Sequence, residues 1–267
     1  MNDHNLIKTQ HEFVSNGITL RASSTRIKKE SGKSEKAVVL MATGDGRKGS
    51  QSSSWAPLTT AVLQSGAAVF IFDFQGLGLS DGTHSELTIS AGVTNLRDAV
   101  FTLRRLEWAA GAKIGGLGSS FGACAMLILQ GLESPFHVLG LKSPASFLPE
   151  AYENEHGEEG MQSWAKTGTS DVTGYSYATY LDSFKHNIYA YSRTISCPTM
   201  IVHGSADTIV PISQSFRLAR ALPNCIALHV LNGVNHDYKQ PGALETLAAH
   251  QKAFFSKYLM DIRDHYE

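Results

Sequence analysis

No apolar run in this sequence approaches the roughly 20 residues that a membrane-spanning helix needs, so a helical membrane protein is excluded and no membrane partner is expected. Cysteine is scarce: Cys124, Cys197 and Cys225 lie far apart, are odd in number and include no C-x-x-C pair. That rules out a disulfide framework, and the three read as reduced, mostly buried residues of a cytoplasmic protein. Cys and His nowhere cluster at zinc-ligand spacing, so neither a metal nor another cofactor is expected. There is no excess of charge either. The 23 basic and 24 acidic residues leave a net charge of −1, and Lys and Arg are dispersed along the chain. A polybasic surface is absent, and with it the expectation of a nucleic-acid partner. Residues 1–10 are polar and lack the basic-then-apolar order of a signal peptide. Internal repeats and low-complexity tracts are also missing.

What is present is the composition of an ordinary globular chain, with 42% hydrophobic and 18% charged residues. A length of 267 residues is enough for one substantial core. Apolar and β-branched segments at 10–16 and 18–27 flank Asn16-Gly17, a hairpin signal. Residues 28–36 are polar and read as a loop. After them, residues 37–42 (AVVLMA) form a continuous apolar run, the mark of a strand buried on both faces. Strands and helices then alternate. The pattern predicts a helix over 52–65, a strand over 67–73, a helix over 88–109, a strand over 114–118 and a helix over 120–131. A strand over 137–141 follows, and later a strand at 199–203, a helix at 213–221, a strand at 226–231 and a helix at 242–259. Such alternation implies an α/β fold with a mostly parallel sheet and helices on both faces. The alternation stops between about residues 144 and 196, in a polar, Tyr-rich stretch longer than ordinary connections. It is read as a small helical cap inserted at 145–195 in a single domain spanning 1–267, over the edge of the sheet where such folds bind ligands.

The chemistry-bearing motif is Gly118-Ser119-Ser120-Phe121-Gly122, which satisfies G-x-S-x-G with Ser120 at its centre. Five residues alone also fit a plain Gly/Ser turn in which Ser120 caps a helix. The context favours a nucleophile: an apolar strand runs into the motif and a helix leaves it, so Ser120 sits in a tight elbow flanked by glycines where a Cβ would clash. Ser119 is the neighbouring candidate, and the glycine frame selects Ser120. A serine hydroxyl needs a base within hydrogen-bond reach. In this kind of fold the chain order is Ser, then acid, then His. His229 lies in an apolar strand and His250 in the last helix, whereas His236 sits in the loop 232–238 (NGVNHDY) between the last strand and the last helix. The plainer reading of His236 is an exposed loop histidine. Asp207 ends the segment 202–207 (VHGSAD), placing it at the same sheet edge, where it can orient His236 and stabilise the imidazolium. Its plainer reading is a turn-forming Asp. Asp237 adjoins His236 but points the wrong way, and Asp171 and Asp182 fall in the cap.

With these pieces in place, the chain resembles the α/β-hydrolase superfamily over nearly its whole length, and within it the bacterial serine-aminopeptidase-like and feruloyl-esterase-like hydrolases. The segments that carry the likeness are 38–44 (VVLMATG), 73–81 (DFQGLGLSD), 118–122 (GSSFG), 202–211 (VHGSADTIVP) and 233–236 (GVNH). The resemblance implies an oxyanion hole of two backbone N–H groups, from Phe121 and from Asp45, besides the elbow glycines Gly118 and Gly122. It also implies hydrolysis of a small-molecule carboxylic ester by Ser120, Asp207 and His236 through an acyl-enzyme, with no cofactor. Thioesterase, acyltransferase and peptidase chemistry use the same triad, a non-catalytic binding protein is the remaining rival, and the oligomeric state is left open. Two residues depart from the family pattern. Thr43-Gly44 stands where His-Gly is usual and is followed by Asp45, whose carboxylate is expected to turn away from the hole, toward Arg47 or a polar part of the substrate. Gln75 replaces the usual Arg, removing a structural ion pair.

Overall fold

The computed structural model describes residues 5–28 and 34–260. Eight strands, β1 (Leu6–Ser15), β2 (Ile18–Ile27), β3 (Ala37–Ala42), β4 (Ala68–Phe72), β5 (Lys113–Ser119), β6 (Val138–Lys142), β7 (Thr199–Gly204) and β8 (Cys225–Leu231), form one sheet. Their order is β1-β2-β4-β3-β5-β6-β7-β8. The β1–β2 hairpin pairs antiparallel and joins β4 antiparallel, and every later pairing is parallel. Asn16 and Gly17 both take positive φ, 50° and 77°, which is the turn that lets a two-residue connection follow the twist of the strands.

The continuous apolar runs become the centre of the sheet because parallel strands are covered on both faces. Alternate residues of β3 show this directly. Val38, Leu40 and Ala42 join the core on one face, and Ala37, Val39 and Met41 that on the other. The first face is covered by α2 (Ile89–Arg105) and α3 (Phe121–Glu133), the second by α1 (Trp55–Ser65) and α8 (Ala243–Phe255). Thr88 caps α2 by accepting the Ala91 N–H at 3.1 Å, and α2 stops at Arg105, four residues before the expected end. Helix α7 (Ile212–Ala221) lies between β7 and β8.

Between β6 and β7 the chain adds α4 (Leu148–Thr167), α5 (Tyr177–Ser183) and α6 (Ile188–Tyr191) and no strand of the sheet. Gly157, with φ 64° and ψ 176°, breaks α4 into two pieces. The tyrosines of this insertion are mostly packing residues. Tyr152, Tyr177 and Tyr180 surround the fully buried Trp164, whose indole N–H donates to the Tyr175 carbonyl at 2.9 Å. Two polar clamps tie the insertion to the body. Asp182 accepts from the backbone N–H and hydroxyl of Ser90 on α2, at 2.8 and 2.9 Å, and the Gln214 amide on α7 brackets the N–H and C=O of Phe147, both at 3.0 Å.

Candidate active site

The parallel strands all end on one edge of the sheet, and the sequence-predicted residues follow those ends. Ser120 follows β5, Asp45 the end of β3, Asp207 the end of β7 and His236 the end of β8. A cavity of about 860 Å³ opens at this edge, between the sheet and the insertion, and both Ser120 and His236 line it.

Ser120 has φ 50° and ψ −113°, a conformation that L-residues rarely hold. It is held there by crowding on both sides. A Cβ on Gly118 would sit 2.6 Å from the Ala123 Cα, and one on Gly122 would sit 2.2 Å from the Thr43 carbonyl oxygen. The Ser120 N–H donates to the Lys142 carbonyl at 3.0 Å, pinning the elbow to β6. Its hydroxyl makes no capping bond to α3, so the plain helix-cap reading of this serine does not describe it. Ser119 is engaged elsewhere, accepting from the Lys142 ammonium at 3.3 Å.

The Asp207 side chain is fully buried. Its Oδ1 accepts the N–H groups of Ile209 and Val210, at 3.0 and 2.9 Å, and its Oδ2 accepts from His236 Nδ1 at 2.7 Å. Asp207 thus makes the bonds of a turn-forming Asp and a hydrogen bond to His236 at once. A second imidazole, not anticipated from sequence, shares the same carboxylate. His203, buried in β7, brings Nε2 to 3.1 Å from both Asp207 Oδ2 and the Val210 carbonyl, while its Nδ1 lies 2.6 Å from the Ser215 hydroxyl. Both neighbours of Nε2 are acceptors, so the proton is assigned to Nε2 and the Ser215 hydroxyl donates to Nδ1. Burial alone would raise the Asp207 carboxyl, but the hydrogen bonds from His203 and His236 outweigh it and hold the group well below the usual carboxylate range. By the same logic the His236 proton sits on Nδ1, which leaves its Nε2 lone pair free.

Lys142, the last residue of β6, is the other unanticipated member. Its buried ammonium donates to the His236 carbonyl at 3.0 Å and stands 4.5 Å from the centre of the Tyr238 ring. Burial pulls it down to about 8, against the attraction of Asp207 and Asp237. The rival acids are otherwise employed. Asp237 pairs with Lys239 at 2.7 Å, Asp182 holds the insertion, and Asp171 is exposed.

At the end of β3, Gly44 faces Ser120: a Cβ there would lie 3.6 Å from that of Ser120. The Asp45 N–H donates to no group among the described residues, and the Phe121 N–H, in the first turn of α3, has no acceptor within its own helix. The Asp45 carboxylate does not follow the expectation of a contact with Arg47. No ion pair joins the two, and its charge acts on Tyr152, Tyr175 and Glu155 across the cavity. Gln75, where the family pattern has arginine, makes two hydrogen bonds, one of them through its backbone. The Gln75 N–H donates to Asn95 at 3.1 Å and its amide to the Glu86 carbonyl at 3.4 Å. Among the tyrosines of the insertion, Tyr175 lines the cavity, whereas Tyr177 and Tyr180 pack on Trp164. Tyr152 lines it as well.

Among the described residues, no group of three His, Cys, Asp or Glu side chains could hold a metal ion, and no helix is long and apolar enough to cross a membrane. In overall structure the chain is similar to Est1E from Butyrivibrio proteoclasticus with bound ferulic acid, with a TM-score of 0.81 at 22% identity over 94% of this chain and 99% of that one. It is also similar to mouse alpha/beta hydrolase domain-containing protein 10, with a TM-score of 0.74 at 18% identity over 93% and 99% of the two chains. In sequence it is 28% identical over 167 residues to the mouse mitochondrial palmitoyl-protein thioesterase ABHD10, a match spanning 58% of this chain and 53% of that protein, about half its length. Residues 54–261 match the profile of the prolyl oligopeptidase family. That stretch includes the elbow, the Asp207 and His236 loops and the whole insertion, and with this match the chain belongs to the prolyl oligopeptidase family, on an α/β-hydrolase fold.

Proposed function

We propose that this chain is a serine hydrolase that cleaves a carboxylic ester of a small molecule. The observation that carries the reading is the 2.7 Å bond from His236 Nδ1 to a fully buried Asp207, at the cavity that the strained Ser120 elbow also lines. That bond fixes the tautomer in which Nε2 can accept the Ser120 proton. The Ser120 oxygen then attacks the acyl carbon, and the carbonyl oxygen becomes an oxyanion between the N–H groups of Phe121 and Asp45. Each such donor contributes about 3 kcal/mol to the transition state. His236 next gives its proton to the leaving alcohol, and a water deprotonated by the same imidazole releases the acid.

Thioester cleavage is the second reading, favoured by the thioesterase name of the mouse relative. Initial rates on matched oxygen esters, thioesters and anilides decide among ester, thioester and peptide chemistry. For the triad itself, a fluorophosphonate probe is expected to label Ser120, with labelling lost in Ser120→Ala and kept in Ser119→Ala. Turnover of the best ester should fall by roughly 10⁴-fold or more in Ser120→Ala. Labelling mapped to Ser119, or a Ser120→Ala variant of undiminished rate, overturns the assignment.

A further inference from the structure

The insertion gives the cavity an apolar part, Leu148, Ala151 and Val172, and a polar part. Tyr152 and Glu155, one turn apart on α4, and Tyr175, just before α5, line it opposite the Asp45 loop. Tyr152 and Tyr175 are 3% and 1% exposed, and neither hydroxyl makes a hydrogen bond of ordinary geometry within the protein, although the Tyr175 hydroxyl has the Asp45 carboxylate as a neighbour. Two other buried aromatic tips are satisfied within the protein. The Trp164 N–H donates to the Tyr175 carbonyl, and the Tyr238 hydroxyl donates to the Val202 carbonyl at 3.0 Å. The two phenols cannot swing away to find acceptors. Tyr175 stacks on His84 with ring centres 4.6 Å apart, and Tyr152 packs edge-on against Trp164 at 5.7 Å. Native proteins pair such groups with protein, ordered water or a ligand, and for these two hydroxyls the partner has to enter from the cavity that their rings line.

Two carboxylates face each other here, Asp45 on its loop and Glu155 on the insertion, in a cavity that Arg47 and Lys48 also line. Among the described residues neither carboxylate has an ion-pair partner; Asp45 has the Tyr175 phenol beside it, and the Arg47 guanidinium lies beside Gly174. Burial, with the Asp45 and Asp207 charges added, pushes the Glu155 carboxyl up to about 7. Burial and the Asp45 carboxylate push both phenols well above their usual value, so they remain O–H groups. Two phenols can each donate and accept, whereas a carboxylate only accepts. An anion placed there would meet the Asp45 charge and, above about pH 7, that of Glu155 as well.

From the two buried phenols and the two carboxylates without ion-pair partners that face one another across this end of the cavity, we infer that it is a subsite for a substrate group that carries hydrogen-bond donors and no negative charge, a hydroxyl or an ammonium. The inference rests on the proposal that Ser120 is the nucleophile of this cavity, and it names the polar end of the ester. A long alkyl group would cover the phenols and carboxylates and leave them without partners, which is the costly arrangement.

Two matched ester sets test it. One is the acetates of 4-methyl-, 4-(hydroxymethyl)-, 4-(aminomethyl)- and 4-carboxybenzyl alcohol, and the other is the methyl benzoates with the same four substituents. In one set, kcat/KM for the hydroxymethyl or aminomethyl ester should exceed that for the methyl ester by about tenfold, the worth of one well-made hydrogen bond, and the carboxy ester should fall below it. A preference for hydroxymethyl alone assigns a hydroxyl, and one for aminomethyl alone an ammonium. Tyr152→Phe and Tyr175→Phe should lower the hydroxymethyl-to-methyl ratio several-fold, and Glu155→Gln the aminomethyl-to-methyl ratio. These are ratios within one variant, so a loss of folded protein does not alter them. Flat rankings in both sets, a preference for methyl, or unchanged ratios in both Phe variants overturn the subsite. Should wild type cleave none of the esters, the ester reading fails separately, and fluorophosphonate labelling still judges the nucleophile. Calorimetric titration of Ser120→Ala with the four parent alcohols then decides the subsite alone: tighter binding of 1,4-benzenedimethanol or 4-(aminomethyl)benzyl alcohol than of 4-methylbenzyl alcohol supports it, and equal or weaker binding overturns it.

Discussion

Asp207 is saturated with donors: two backbone N–H groups and two imidazoles converge on one carboxylate. An asparagine there could keep one acceptor oxygen but would turn an NH₂ group toward at least one of those donors. Asp207→Asn is therefore expected to free or reverse the His236 tautomer and to lower kcat by up to roughly 10⁴-fold, as measured on the best ester, with little change in KM. A neutral substitution at Asp207 combined with a severe one at Asp171 would contradict the role. Lys142 carries a different kind of prediction, because its cost is electrostatic. Its ammonium titrates near 8 when folded, against about 10.4 in an unfolded chain. Between those values the unfolded chain holds more protons, so stability rises with pH and the penalty of the buried charge fades. Its surroundings, the Asp207 and Asp237 carboxylates, the Tyr238 ring, the Ser119 hydroxyl and the His236 carbonyl, do not offset burial fully. Urea unfolding at pH 7 and pH 9.5 should show wild type gaining roughly 2 kcal/mol relative to Lys142→Met over that interval. A difference independent of pH would mean that the ammonium is better solvated than its burial implies.

The elements explain why some of this could be read from sequence. β3 and β4 are uninterrupted apolar runs, and their burial on both faces is the physical reason for those runs. The elbow was legible because Gly118 and Gly122 answer to contacts that no other residue survives, and glycine at fixed spacing is visible in a sequence. Gly122→Ala tests that point. Its Cβ would press on the carbonyls of Thr43 and Ala42, backbone that cannot give without moving β3. The variant should lose about 3 kcal/mol or more of stability, read as a fall in thermal midpoint, where an ordinary exposed helix position would gain from the same change. His203 and Lys142 escaped sequence reading for the converse reason. Each stands at or near the end of an apolar strand, where the pattern reports burial and conceals which buried side chain turns toward the loops. The longest helix of the insertion was also hidden. α4 alternates charges with Gly157 and Gly160 and has no clear apolar stripe, because it is held by an aromatic cluster around Trp164 rather than by a periodic face.

At the scale of the molecule, a rigid parallel sheet presents loops at one edge, and a separate helical insertion covers them. The core glycines, the elbow and the Asp207 turn belong to the sheet, so bond chemistry is expected to be a property of that body. The insertion contributes Tyr152, Glu155 and Tyr175 to the cavity, and its buried residues join the core on one face of the sheet. Its polar ties to the body include the two clamps, Asp182 to Ser90 and Gln214 to Phe147, besides the bonds of Ser176 to Ser85 and Asn154 to Thr208. Buried, multiply bonded polar clamps of this kind fix the placement of a segment more than they stabilise the whole, and segments outside the central strands open locally before those strands do. Cutting a clamp should therefore loosen the insertion without loosening the sheet. In Asp182→Ala and Gln214→Ala, hydrogen exchange should quicken across residues 148–191 while the amides of β3, β5 and β7 keep their protection. Fluorophosphonate labelling of Ser120 should persist, and KM for the preferred polar ester should rise more than kcat falls. If exchange quickened equally in the central strands, or if labelling vanished with the clamp, insertion and sheet would be a single cooperative unit and the division between chemistry and selection would be wrong.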